Sequence, residues 1–348
     1  MSKAPAGQLD LFEEPTTQPV AHPVGPAAVS PGLADVAARV PAGIYLGTSS
    51  WHFPDWAGLV YDRISDERTL GRDGLCAYAQ HPLLGTVGID RTFYAPLPRE
   101  EYEHYAQQVP AAFRFVVKAP MGCTAPTLRA EHGGRGAPNP HFLDALHATR
   151  RFVEPCLEGL GGKAGPLVFQ FPPLGRALTR EPHDFLDPLR AFLAQLPRGP
   201  LYAVEVRDRE LMTQAYLVAL LDCGVRPCLS LHPRMPVAAE QARALHATQG
   251  GPLVVRWNLH EGLAYEQAKA RYSPFIRLVD EDIPNRVALA RLCLEAVHHG
   301  HVAYVIANNK AEGCAPLTVF KLAEQIVAAQ AHMTAANAGA DAAGLGRE

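Results

Sequence analysis

Eight short apolar runs rich in β-branched and aromatic residues recur along this chain, with stretches of helical spacing after most of them. That alternation restricts the fold more than any other feature, because strand, helix and strand in succession make a unit whose strands lie parallel. The runs are "IYLGTS" (44–49), "TVGID" (86–90), "FRFVVK" (113–118), "PLVFQF" (166–171), "LYAVEV" (201–206), "RPCLSL" (226–231), "PLVVRW" (252–257) and "HVAYVIAN" (301–308). Helical patterns occupy 99–109, 140–155, 180–196, 209–224, 285–300 and 315–330, and Gly224 and Gly300 stand where a left-handed C-terminal cap belongs. Eight strands, most leading into a helix, predict an α/β chain folded as a (β/α)8 TIM barrel. A doubly wound sheet would carry a Gly-rich turn after its first strand, and "GTSSW" supplies none.

The barrel is expected over residues 42–332. Before it, residues 1–41 carry many prolines and no sustained period, and read as a disordered Pro/Ala-rich arm; after it, residues 333–348 read as a flexible Ala/Gly tail. A formal net charge of −3 argues against an extended nucleic-acid surface. No run approaches the about 18 apolar residues of a membrane span. Seven scattered cysteines with no C-x-x-C pair read as reduced thiols of a cytoplasmic protein. No nucleotide-cofactor motif is present: the Gly-rich "AEHGGRGAPNP" (130–140) lacks a P-loop lysine and reads as a lid or ordinary loop.

In such a barrel the C-terminal strand ends build the active site. Alternate residues of a strand face the lumen, so Ala203, Glu205 and Arg207 point inward while Tyr202, Val204 and Val206 point to the helices. The same period sends Val116 and Lys118, then Val254, Arg256 and Asn258, then Ile306 and Asn308 inward. The expected mouth therefore gathers Asp90, Lys118, Glu205, Arg207, Arg256, Asn258 and Asn308, with Gln170 beside them. Three cations against two carboxylates suit a substrate with negative charge or many hydroxyls, since guanidinium forks pair with phosphate or carboxylate. Ion pairs that merely close the barrel are the competing account. His52, His232 and His260 beside Glu205 are the weakly supported option for a divalent metal, since they come from separate loops with no ligand spacing.

The order of "GTSSWHFPDW" (47–56), "IDRTFYAPLP" (89–98), "FRFVVKAP" (113–120), "GPLVFQFPP" (165–173), "AVEVRD" (203–208), "VRWNLHEG" (255–262) and "ANNKAEGCAP" (307–316) resembles the YecE-like family, domain-of-unknown-function family 72. The resemblance spans about residues 43–330 and implies a bacterial TIM barrel without implying a reaction. Thr48, Trp51, Thr92, Phe93, Tyr94, Lys118, Gln170, Glu205, Arg207, Arg256, Asn308 and Asn309 match the family pattern. Departures from it are Ser50 in place of Gly, Gly88 in place of Glu and Asp90 in place of Asn, which moves a carboxylate one inward step nearer the mouth.

Three function classes follow. The first is an enzyme, a hydrolase, isomerase or lyase, with Glu205, Lys118 and Asp90 as catalytic groups. Arg207, Arg256, Gln170, Asn308, Asn309, Thr48, Trp51, Thr92 and Tyr94 would bind its small anionic or polyhydroxylated substrate. The second is a DNA replication or repair accessory protein, because "QLDLF" resembles the peptide by which bacterial proteins dock on the sliding clamp, with Gln8, Leu9, Leu11 and Phe12 as anchors. The third is a barrel kept as a non-catalytic binding module.

Overall fold

The computed structural model describes residues 23–128, 136–181 and 183–344. Gln8, Leu9, Leu11 and Phe12 lie outside the described residues, as does the part of the Gly-rich loop at 129–135. Eight parallel strands close into one barrel in sequence order: β1 (Ile44–Thr48), β2 (Thr86–Ile89), β3 (Arg114–Lys118), β4 (Ala164–Gln170), β5 (Tyr202–Glu205), β6 (Arg226–Leu231), β7 (Leu253–Trp257) and β8 (Ala303–Ala307). Pairing of β1 with β8, in register from Ile44 opposite Ala303 to Thr48 opposite Ala307, closes the ring. Gly47 permits the β1–β2 approach: a Cβ there would lie 1.8 Å from the Thr86 carbonyl oxygen.

The two-residue period sorts the side chains as the sequence indicates. Val116, Val168, Ala203, Cys228, Val254, Tyr304 and Ile306 form the lumen core, with Tyr45 stacked on Tyr304 at 4.9 Å between ring centroids. Phe113, Phe115 and Val117, like Tyr202, Val204 and Val206, pack outward into the larger core beneath the helices. Burial of such aliphatic and aromatic side chains contributes roughly 1.5–3 kcal/mol each, so both cores are held chiefly by apolar burial. Gly224 and Gly300 take φ of +70° and +77° just past their helices, as their caps require.

Four sequence expectations change. The arm read as disordered through residue 41 is folded from Val24 onward: Ala27 donates its N–H to the Val60 carbonyl at 2.9 Å, and a helix runs Pro31–Arg39 behind a Ser30 cap. Leu33, Val36, Ala37 and Val40 fall at helical spacing and pack on the core, a period that the surrounding prolines mask. At the other end the last helix runs Ala315–Gly344, past the expected boundary at 333, because an Ala-rich sequence free of proline has no local reason to stop. The helical path expected at 140–155 runs instead from Ala145 to Leu160, through a π-turn at Thr149–Val153. Pro155 lies on that path and has no N–H to donate. The helix expected at 209–224 begins only at Gln214, capped by Thr213.

Short helices at Glu67–Asp73, Leu75–Tyr78 and Ala238–Ala244 lacked a readable period. Among the described residues no helix is long and apolar enough to cross a membrane.

Candidate active site at the barrel mouth

A cavity of about 560 Å³ opens at the C-terminal ends of the strands. Its floor is an ion network centred on Glu205, the last residue of β5, which is fully buried. Glu205 Oε1 accepts from Ser230 Oγ at 2.7 Å, from Asn258 Nδ2 at 3.1 Å and from Arg207 Nη2 at 2.5 Å. Its Oε2 accepts from Arg256 Nη1 at 2.7 Å, and Arg256 Nη2 donates to Asp90 Oδ2 at 2.5 Å. One arginine thus ties β7 to β5 and to the end of β2 across the lumen.

Burial pushes the Glu205 carboxyl up, but the Arg207 and Arg256 guanidiniums outweigh it and hold the group down at about 2. Held that low, the carboxylate is ionised at neutral pH and is shared by two cations. Burial lowers the Arg207 guanidinium and Glu205 opposes that, while its Nε has no partner among the described residues.

Lys118, the last residue of β3, faces the same cavity with its Nζ 3.5 Å from the centroid of the Phe93 ring. Burial first, then the charge of Arg256, lowers its ammonium to about 7, with Asp90 and Glu205 opposing. Among the described residues no carboxylate forms an ion pair with it. Thr92, buried, explains how the aromatic ring is held there. Its hydroxyl sits between the Ile89 and Lys118 carbonyl oxygens, at 2.8 and 2.5 Å, and so fixes the 3₁₀ turn Arg91–Phe93 against β3.

The other sequence-derived residues divide into lining and support. Gln170 lines the cavity, and its amide makes only a 3.5 Å contact with the Phe171 carbonyl. Asn308 lines it too, donating to Ser49 Oγ at 2.8 Å and accepting the Lys310 N–H at 3.0 Å. Trp51 lines it as well, while its Nε1 donates to the Leu70 carbonyl and its ring meets Tyr105 edge-on. Tyr94 stands exposed on the rim. Thr48, Thr92 and Asn309, expected to touch substrate, are not among the residues that line the cavity. Thr48 is fully buried, donating to the Ser50 carbonyl and pairing with the Tyr78 hydroxyl, and Asn309 Oδ1 accepts the Ala315 N–H at the start of the last helix. Thr48 and Asn309 are thus held within the scaffold.

Gly88 lines the cavity with so little room that a Cβ would sit 3.0 Å from the Ser49 backbone. The carboxylate on this side of the mouth is that of Asp90, just past β2 and one inward step beyond Gly88. The histidines do not assemble into a metal centre: among the described residues no group of three or more His, Cys, Asp or Glu is placed to hold one. His52 Nδ1 lies 3.1 Å from Glu67, His260 Nδ1 lies 2.8 Å from its neighbour's carbonyl, and burial lowers His232 to about 4. Lys310, like Tyr265, lines the cavity from outside the set that strand periodicity selects. It follows β8 on a short helix, Asn309–Glu312, where a two-residue period no longer applies, although "NNK" at a strand end is a visible signal.

A second cavity, of about 650 Å³, lies on the outer side of Trp51 and His52, lined by Arg72, Arg91 and His104 among others. Its polar groups are largely engaged: Arg91 with Glu101, Arg72 with Asp73, and His104 with the Arg72 carbonyl. The strand-end cavity is the one with convergent, unspent groups.

A sequence profile described as "Protein of unknown function DUF72" matches residues 45–342, nearly the whole barrel and its last helix. The chain belongs to the DUF72 family. Among curated relatives, the UPF0759 protein YunF of Bacillus subtilis (strain 168) is 28% identical over 130 residues, spanning 37% of this chain and 40% of YunF. Crystal structures that share the fold include two DUF72 proteins. A DUF72 protein of Enterococcus faecalis V583 superposes with a TM-score of 0.57 at 18% identity, covering 81% of this chain and 95% of the other. One of Thermotoga maritima MSB8 does so with a TM-score of 0.53 at 18% identity, covering 81% and 98%. The DUF72 assignment and the closed eight-stranded barrel agree with the resemblance seen in the seven sequence motifs.

Proposed function

We propose that this DUF72 protein is an enzyme acting on a small anionic or polyhydroxylated molecule, a phosphorylated sugar or a nucleotide-like compound, at the C-terminal mouth of its barrel. One observation carries the proposal. Lys118 is an amine without a carboxylate partner among the described residues, lowered to about 7, on the wall of a cavity whose floor is fixed by Glu205, Arg207 and Arg256. A group with that midpoint exchanges its proton near neutrality, the condition for a general acid–base or for an amine that adds to a carbonyl carbon with loss of water. Asp90 is the second candidate for proton transfer, being partly exposed and engaged through Oδ2. In this reading Arg207 supplies charge, and Gln170 and Asn308 supply oriented hydrogen bonds.

A cytoplasmic setting belongs to the same proposal, since seven free cysteines fit a reducing compartment. The test is a calorimetric binding panel of phosphorylated sugars and nucleotides, with turnover of each hit followed by mass spectrometry. Lys118→Met is expected to keep binding and lose turnover, and Arg207→Met to weaken binding. Turnover that survives Lys118→Met unchanged removes Lys118 from the chemistry. A panel in which nothing binds removes the site.

A further inference from the structure

Lys310 is 8% exposed, lines the same cavity as Lys118, and makes no hydrogen bond or ion pair through its ammonium among the described residues. Its Nζ rests 4.2 Å from the Tyr265 ring centroid and 5.6 Å from that of Phe275. The carboxylates of the mouth offer it nothing, because Asp90 is engaged by Arg256 and Glu205 by both arginines. Glu266 and Lys269, on the helix Tyr265–Tyr272, act on it from a distance in opposite senses. Burial lowers its ammonium, as expected for a cation taken from water without a counter-charge.

A buried cation in this condition costs free energy that an aromatic face offsets only in part. An anion arriving from the cavity would offset the rest. Lys310 follows β8 and Lys118 ends β3, three strands away round the ring through β1 and β2, so the two ammoniums approach the cavity from different strands of the ring.

We propose that Lys310, seated on Tyr265, is the specificity-determining anchor for a terminal phosphate or carboxylate of the substrate, whose reacting end lies toward Lys118. This rests on the preceding reading that the mouth binds a small polar molecule, and narrows it to one carrying an anionic group remote from the reacting centre. A cavity of this size holds a molecule of sugar-phosphate dimensions.

The experiment is protection of lysines from a limiting amine-acylating reagent on the full-length protein, mapped residue by residue by mass spectrometry. Ribose 5-phosphate and glycerate are the phosphate and carboxylate probes, ribose and glycerol their neutral counterparts. Labelling of Lys310 is expected to fall about tenfold with at least one anionic probe and to stay unchanged with the neutral ones, while exposed Lys269 stays constant as internal reference. The probe that protects identifies the anionic group. Lys310→Gln is expected to weaken binding of that probe by about tenfold. Protection of Lys118 without protection of Lys310 overturns this inference and leaves the proposed function standing. Absence of protection at both lysines overturns this inference and the proposed function together.

Discussion

Replacing Glu205 by Gln tests the reading of the floor as an electrostatic keystone. The substitution keeps the shape of the side chain and its contacts with Ser230 and Asn258, but removes the charge that faces Arg207 and Arg256. Arg256 retains Asp90; Arg207 is left buried with no carboxylate in contact. Breaking one side of a buried ion pair costs about 3–5 kcal/mol. With one of the two arginines still paired, the lower end of that range, about 3 kcal/mol, is expected. At roughly 2–4 °C per kcal/mol for a large domain, the melting midpoint should fall by about 6–12 °C.

Differential scanning calorimetry at pH 7 measures the drop, and the double variant Glu205→Gln/Arg207→Met should recover part of it by removing the orphaned charge. The pH dependence carries the same sign. The Glu205 carboxyl is lowered from 4.5 to about 2 on folding, so its contribution is complete above 4.5 and is lost as pH falls toward 2. A melting midpoint for Glu205→Gln within about 1 °C of the wild type, well under the shift worked above, refutes the keystone argument.

Three further outcomes are expected. Lys118 should be acylated with a midpoint near pH 7. Because folding lowers its ammonium from 10.5, the wild type should gain stability relative to Lys118→Met as pH rises from 7 to 10.5; a reactivity midpoint above 9 contradicts the geometry. Gly47→Ala places a methyl 1.8 Å from the Thr86 carbonyl and should abolish soluble folded protein, whereas Gly58→Asn, with open space and a φ of +80°, should melt within a few degrees of the wild type. We also propose that "QLDLF" docks on a bacterial sliding clamp. A peptide spanning it should bind a clamp in titration and lose binding with Leu11→Ala or Phe12→Ala, and no binding at high micromolar concentration sinks that proposal.

Several features of the site were legible because they follow from a period of two. Once Ala203 and Val254 face the lumen, Glu205 and Arg256 must follow them inward at the strand tops, and the structure joins those two side chains at 2.7 Å. The helix Pro31–Arg39 was hidden because its apolar spacing is embedded in proline-rich surroundings and is stabilised by a surface that local sequence does not show.

By itself the sequence determined the number of strands, their order and which faces turn inward, because these depend on local periodicity and on the single way a βα chain closes. Tertiary structure alone decided what surrounds each mouth residue. It places Glu205 between two guanidiniums and leaves Lys118 and Lys310 without a carboxylate partner among the described residues. Electrostatic roles are properties of distance and burial between residues remote in sequence, and no stretch of the chain carries them on its own.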